Sequence, residues 1–113
     1  MLRYAFTMRL KPGAYAEYKR MHDTIWPELV EEIERCGVTT MSIFEAGPEL
    51  LFLYSEVRDE ETWTRLRASE VHQRWGRALQ HLFVLNDAGA PDLGELNEMF
   101  TFGRAARAER DEG

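Results

Sequence analysis

The segment VTTMSIFEAGPELLFLYSEV, residues 38–57, decides the fold. Strand-forming residues fill 38–45 and again 50–57. Ala46-Gly47-Pro48-Glu49 between them carries turn chemistry, so the two runs predict an antiparallel hairpin. Folded symmetrically about that turn, the hairpin sets Met41 opposite Tyr54 and Thr39 opposite Glu56, close enough for side chains on one face to share ground. A slip of one residue would send Tyr54 to the other face.

Upstream of the hairpin the pattern is helical. From about Ala14 onward, Ala14, Tyr18, Met21 and His22 fall along one side. Pro27 inside a continuous helix would remove a hydrogen bond and clash with the preceding turn. The chain is therefore expected to break near Asp23-Thr24, with either residue capping a restarted helix. The second piece sets Ile25, Leu29 and Ile33 in an apolar stripe, with Trp26 and Val30 beside it, and ends at Gly37. Before both pieces, residues 2–10 alternate. Leu2, Tyr4, Phe6, Met8 and Leu10 share one face and Arg3, Ala5, Thr7 and Arg9 the other, which is a strand that Pro12-Gly13 terminates.

Downstream, Asp59-Glu60-Glu61 has the signature of a helix start, and Trp63 and Leu66 supply its buried side. Ser69 is expected to cap another short helix, in which Val71, Trp75, Leu79 and Leu82 recur at helical spacing. A polar loop from Asn86 to Gly94 leads to a last strand in which Leu96, Glu98, Phe100 and Phe102 alternate. The order is β-α-β-β-α-β, an α+β ferredoxin-like plait. A single domain over residues 1–103 is expected, followed by a polar tail, 104–113, without apolar periodicity. Helices cover only one face of such a sheet, so a second subunit is expected over the other, making the protein a homodimer.

Composition narrows the function classes. The 113 residues carry a formal net charge of −6, which supplies no basic surface for nucleic acid. The lone cysteine, Cys36, allows no intrachain disulfide and fits a reducing compartment. Neither a signal-peptide core nor a membrane-length apolar run is present, and the cytoplasm is the expected location. His72 and His81 are nine apart and do not align for a metal on one helix face. A glycine-rich phosphate loop and a G-x-S-x-G elbow are both lacking.

Chemistry concentrates in EYKRMHDTIWPEL, residues 17–29. Tyr18 and His22 are four apart and share a helix face, with His22 near the end of its helix. An imidazole there can move protons near neutral pH, or it can simply cap the negative end of the helix. Together with RYAFTMRLKPG at the amino terminus and the later VHQRW, this segment resembles the L-rhamnose mutarotase family over residues 1–102. The resemblance implies a dimeric α/β barrel and an enzyme that interconverts the α and β anomers of a free 6-deoxyhexose, L-rhamnose first among them, without metal or redox cofactor. It implies His22 as the proton donor, Tyr18 as a substrate-binding residue and Trp75 as a sugar-contacting indole. Met41 stands where the family has a substrate-contacting tyrosine, and Gly76 where it has a second tryptophan. Opposite Met41, Tyr54 is the candidate to return the missing phenol. Cofactor-free oxygenases and non-catalytic binding modules share the plait and remain the rival classes.

Overall fold

Why the helical region breaks is visible in the computed structural model, which describes residues 2–103. Helix α1 (Tyr15–Asp23) stops short of Pro27, which opens α2 (Pro27–Cys36) at its first position. There the missing proline N–H costs nothing, because the first amides of a helix lack intrahelical partners. Neither Asp23 nor Thr24 caps α2 as expected. Its N-cap is Trp26, with no side-chain hydrogen bond, while the Thr24 hydroxyl donates back to the Arg20 carbonyl at 3.1 Å. Gly37 closes α2 in the left-handed region at φ 116°. A Cβ there would also lie 2.8 Å from the Thr62 hydroxyl, so glycine is required twice over.

The strands are β1 (Leu2–Arg9), β2 (Val38–Gly47), β3 (Leu50–Val57) and β4 (Leu93–Leu96), ordered β2-β3-β1-β4 with antiparallel neighbours throughout. This is the plait expected from the element order. Helices α3 (Thr62–Ala68) and α4 (Glu70–Leu79) complete the helical layer, and the Ser69 hydroxyl caps α4 by accepting from the His72 amide at 3.3 Å. The Asp59 carboxylate accepts from the Glu61 amide at 2.9 Å, so the acidic start sits one turn ahead of α3.

Between the two layers, Phe6, Met8, Leu51 and Leu53 from the sheet pack against Tyr18, Leu29, Trp75 and Leu79 from the helices. Burying a side chain such as Leu29 or Leu51, each 1% exposed, contributes about 1.5–3 kcal/mol. Ser55 is fully buried yet satisfied: its hydroxyl donates to the Tyr4 carbonyl and accepts from the Trp63 indole.

Two expectations about the strands are also corrected. The hairpin turn is only Pro48-Glu49, and irregularities at Ala46 and Thr39 shift the register. Met41 therefore pairs with Ser55, Ser42 with Tyr54 and Thr40 with Glu56. Each bulge places two residues against one, which a symmetric reading does not anticipate. The last strand is likewise not at 96–102. It is Leu93–Leu96, starting inside the stretch expected to be loop and ending at the first residue expected in the strand, because pairing to β1 runs only from Met8↔Leu93 to Ala5↔Leu96. Gly94 disguises it, but a Cβ there would lie 2.5 Å from the Thr7 hydroxyl of β1, so the close strand approach demands glycine. Phe100 and Phe102 alternate in sequence without a strand to join and are 75% and 89% exposed. The expected tail, 104–113, lies outside the described residues.

Candidate functional site

Because α1 ends before Pro27, His22 occupies its last turn, half-buried. Its Nδ1–H donates to the Tyr18 carbonyl oxygen at 2.8 Å. A carbonyl can only accept, so the neutral ring carries its proton on Nδ1 and presents a lone pair at Nε2. Tyr18 stacks on the same imidazole with centroids 4.3 Å apart, and Trp75 from α4 meets it edge-on at 5.3 Å. Trp26, at the start of α2, is edge-on to Trp75 at 5.0 Å. The interrupted helix and α4 thus hold one aromatic cluster around the His22 imidazole.

This cluster borders a cavity of about 180 Å³ between helices and sheet, which Tyr18, His22, Met41, Trp75 and Gly76 help to line. The volume is below the ~300–1,000 Å³ of pockets for drug-sized ligands, and suits a small one. An adjoining cavity of about 320 Å³ shares Tyr18, His22, Met41 and Ile43 and is bordered by Lys19, Asp23 and Glu45. His22 therefore stands on the wall common to both. Burial lowers its pKa, partly opposed by the bond to the Tyr18 carbonyl and by Asp23. Burial pushes the Tyr18 phenol upward, which keeps it a protonated hydrogen-bond donor.

Of the residues singled out in the sequence, Tyr18, His22, Met41 and Trp75 meet at this cavity. Tyr54 does not. It lies on the opposite face of the sheet, where its hydroxyl donates to the Glu56 carboxylate at 2.9 Å, so it stands apart from the cavity it was expected to enter. Gly76 borders open space, with nothing within 4 Å of the point where a Cβ would stand. Sequence reading took Trp63 as the buried side of a helix, weighed His72 only as a metal ligand and did not single out Arg67; all three also line the cavity. For His72 the signal was its spacing, three residues before Trp75, rather than its distance from His81.

A family profile described as L-rhamnose mutarotase matches residues 3–102. The chain belongs to the L-rhamnose mutarotase family. An L-rhamnose mutarotase of Tolumonas auensis is 38% identical over 102 residues, covering 88% of this chain and 97% of the relative. The crystal structure of an L-rhamnose mutarotase from Formosa agariphila superposes with a TM-score of 0.79 at 29% identity, covering 91% of this chain and all of that one. A cofactor-independent oxygenase from Streptomyces nogalater also shares the fold, with a TM-score of 0.63 at 11% identity and coverage of 90% and 96%. Fold alone therefore does not separate the rival classes; membership of the mutarotase family does. Among the described residues no helix is long and apolar enough to cross a membrane.

Proposed function

We propose that the protein interconverts the α and β anomers of free L-rhamnose, with His22 delivering a proton to the ring oxygen. The observation that carries this reading is the held imidazole: Nδ1 is occupied by the Tyr18 carbonyl, Nε2 is the open nitrogen, and Trp75 and Tyr18 flank the ring beside the cavity. Protonation of the ring oxygen lets the C1–O5 bond break with its electron pair on oxygen. Loss of the anomeric hydroxyl proton completes the aldehyde. Rotation about C1–C2 and reclosure on the other carbonyl face return both protons. Such transfers need groups that titrate near the working pH, which an imidazole supplies.

Recognition is shared among the walls. The indole of Trp75 suits the apolar C–H patch of a 6-deoxy pyranose, and the Tyr18 hydroxyl is a donor to a sugar oxygen. Met41 contributes surface without a hydroxyl, and Gly76 leaves room on the α4 side. Saturation-transfer NMR with L-rhamnose tests the reading: the protein should accelerate anomer exchange at equilibrium. Exchange at the uncatalysed rate would overturn it, and oxygen consumption with an aromatic substrate would move the protein to the oxygenase class.

The active form is proposed to be a homodimer. On the sheet face away from the helices, Phe44 is 56% and Leu96 44% exposed, and Phe52 packs against Phe44 with centroids 6.3 Å apart. A second copy over this face would remove that apolar surface from water. Light scattering at micromolar concentration should give twice the chain mass; a monomer would overturn this part.

A further inference from the structure

We infer that His72 is the second proton-transfer group of this site, acting on the anomeric hydroxyl while His22 acts on the ring oxygen; the inference rests on the anomer-interconverting reading above. Ring opening requires a donor and an acceptor on two different oxygens. Among the side chains that line the 180 Å³ cavity, Tyr18, His22, Arg67 and His72 are the groups that carry a charge or a titratable proton, and no carboxylate is present. Arg67 stays cationic, and burial holds Tyr18 protonated. The two imidazoles are what remains.

Placement supports the assignment. His72, Trp75, Gly76 and Leu79 all line the cavity, and their spacing puts them on one face of α4. Trp75, one turn from His72, is the residue by which that face touches the His22 ring at 5.3 Å. The His72 backbone N–H is taken up by the Ser69 cap, but among the described residues its ring nitrogens hydrogen-bond to nothing. Neither ring nitrogen is enclosed without a partner, so the ring is open to a ligand in the cavity it lines.

The surroundings favour a base. From α3, Arg67 acts on His72 electrostatically; Tyr18 and His22 from α1 line the same cavity, and the sheet contributes Phe6, Met41 and Ile43, which carry no charge. Burial and the Arg67 charge both keep the His72 ring neutral, and its place in the first turn of α4 acts in the same direction. Ring opening needs one imidazole protonated and the other neutral, so the working pair holds a single proton. In ring opening the protonated His22 gives its Nε2 proton to O5 as the C1–O5 bond breaks. A ring nitrogen of His72 takes the O1 proton as the C1=O1 bond forms. One proton enters the sugar and one leaves it, and reclosure runs the two transfers backward.

The test measures anomer exchange of L-rhamnose by NMR from acidic to mildly alkaline pH for the parent, His72→Asn, Glu45→Gln and His81→Asn. Glu45 borders the adjoining cavity and is the rival base; His81, whose Nε2 lies 3.5 Å from a Glu17 carboxylate oxygen, is not among the cavity residues and serves as control. The parent should give a bell-shaped profile. His72→Asn should exchange ~10²-fold or more slowly and lose the limb on the acidic side, with sugar affinity held within a few fold and partial rescue by free imidazole. Retention of both limbs at near-parental rate, or loss of the acidic limb in Glu45→Gln instead, would overturn the assignment. Should His72→Asn fail to fold, the His72 ring resonances of the parent decide: L-rhamnose must shift them and their titration, and no response overturns the inference. A parent that fails to accelerate exchange is recognisable before any substitution, and removes the proposed function and this inference together.

Discussion

The His22 Nδ1–H donates to the carbonyl oxygen of Tyr18, 2.8 Å away and one turn earlier on the same helix. A residue that flanks the cavity with its ring thus also orients, through its backbone, the imidazole beside it. Substituting His22 by glutamine should lower catalysed anomer exchange by ~10²–10⁴-fold with the fold intact, because the ring lies in a helix terminus and carries little of the core. Near-parental exchange, read by the same NMR experiment, would move the proton donor elsewhere.

Stability should respond to pH through the two cavity histidines. Burial lowers the pKa of both, so between the folded values and the unfolded value of ~6.5 the unfolded chain binds more protons than the folded one. Their contribution is complete above the unfolded pKa and is lost as pH falls through the folded ones. Carboxylates held low by arginine partners, such as Asp59 and Glu98, lose theirs at more acidic pH. The stability gap between the parent and His72→Asn should therefore be constant near neutrality and change as pH drops below ~6.5, with the variant falling less. Parallel melting curves would refute this.

Gly76 lies inside α4 with open space where a Cβ would stand. Gly76→Ala should raise stability by about 0.5–1 kcal/mol, since glycine in a helix interior loses more chain entropy on folding than alanine. Gly76→Trp should narrow the cavity and change sugar affinity more than exchange rate at saturation. Denaturant titration and NMR-monitored binding read the two effects separately.

Tyr54→Phe should leave exchange and sugar affinity unchanged, because its hydroxyl bonds to Glu56 on the far face of the sheet. Any cost should appear in stability, at about 0.5–1.5 kcal/mol or less. A loss of sugar affinity comparable with that of Tyr18→Phe would place the phenol in the cavity after all.

The plait was legible because apolar periodicity is a local property: Leu2 to Met8 alternates, and Leu29 and Ile33 recur a turn apart, whatever lies around them. Proline gave away the helix break for an equally local reason. What could not be read from the chain depended on partners. Whether Leu93–Leu96 or Leu96–Phe102 joins the sheet is decided by how far β1 extends beside them, and Gly94 makes sense only with Thr7 across from it. At the site, Tyr18 and His22 were legible as a helical pair, and Trp75 by resemblance. Weighing His72 only against His81, and setting the two aside as metal ligands, hid its shared face with Trp75, and the cavity that brings them together exists only once α3, α4 and the sheet have packed.

The two bulges of β2 act on the strand as a paired insertion acts on a reading frame. The extra residue at Ala46 changes the parity of every side chain before it, and the extra residue at Thr39 restores it, so only 40–45 is read in the altered phase. In that phase Met41 and Ile43 are brought to the cavity while Thr40 and Ser42 go to the far side. Uninterrupted pairing from Gly47↔Leu50 would exchange the two sets and present hydroxyls where thioether and alkyl groups now stand. A length change of one residue at the hairpin is therefore a route to a different cavity wall with no codon for a wall residue altered.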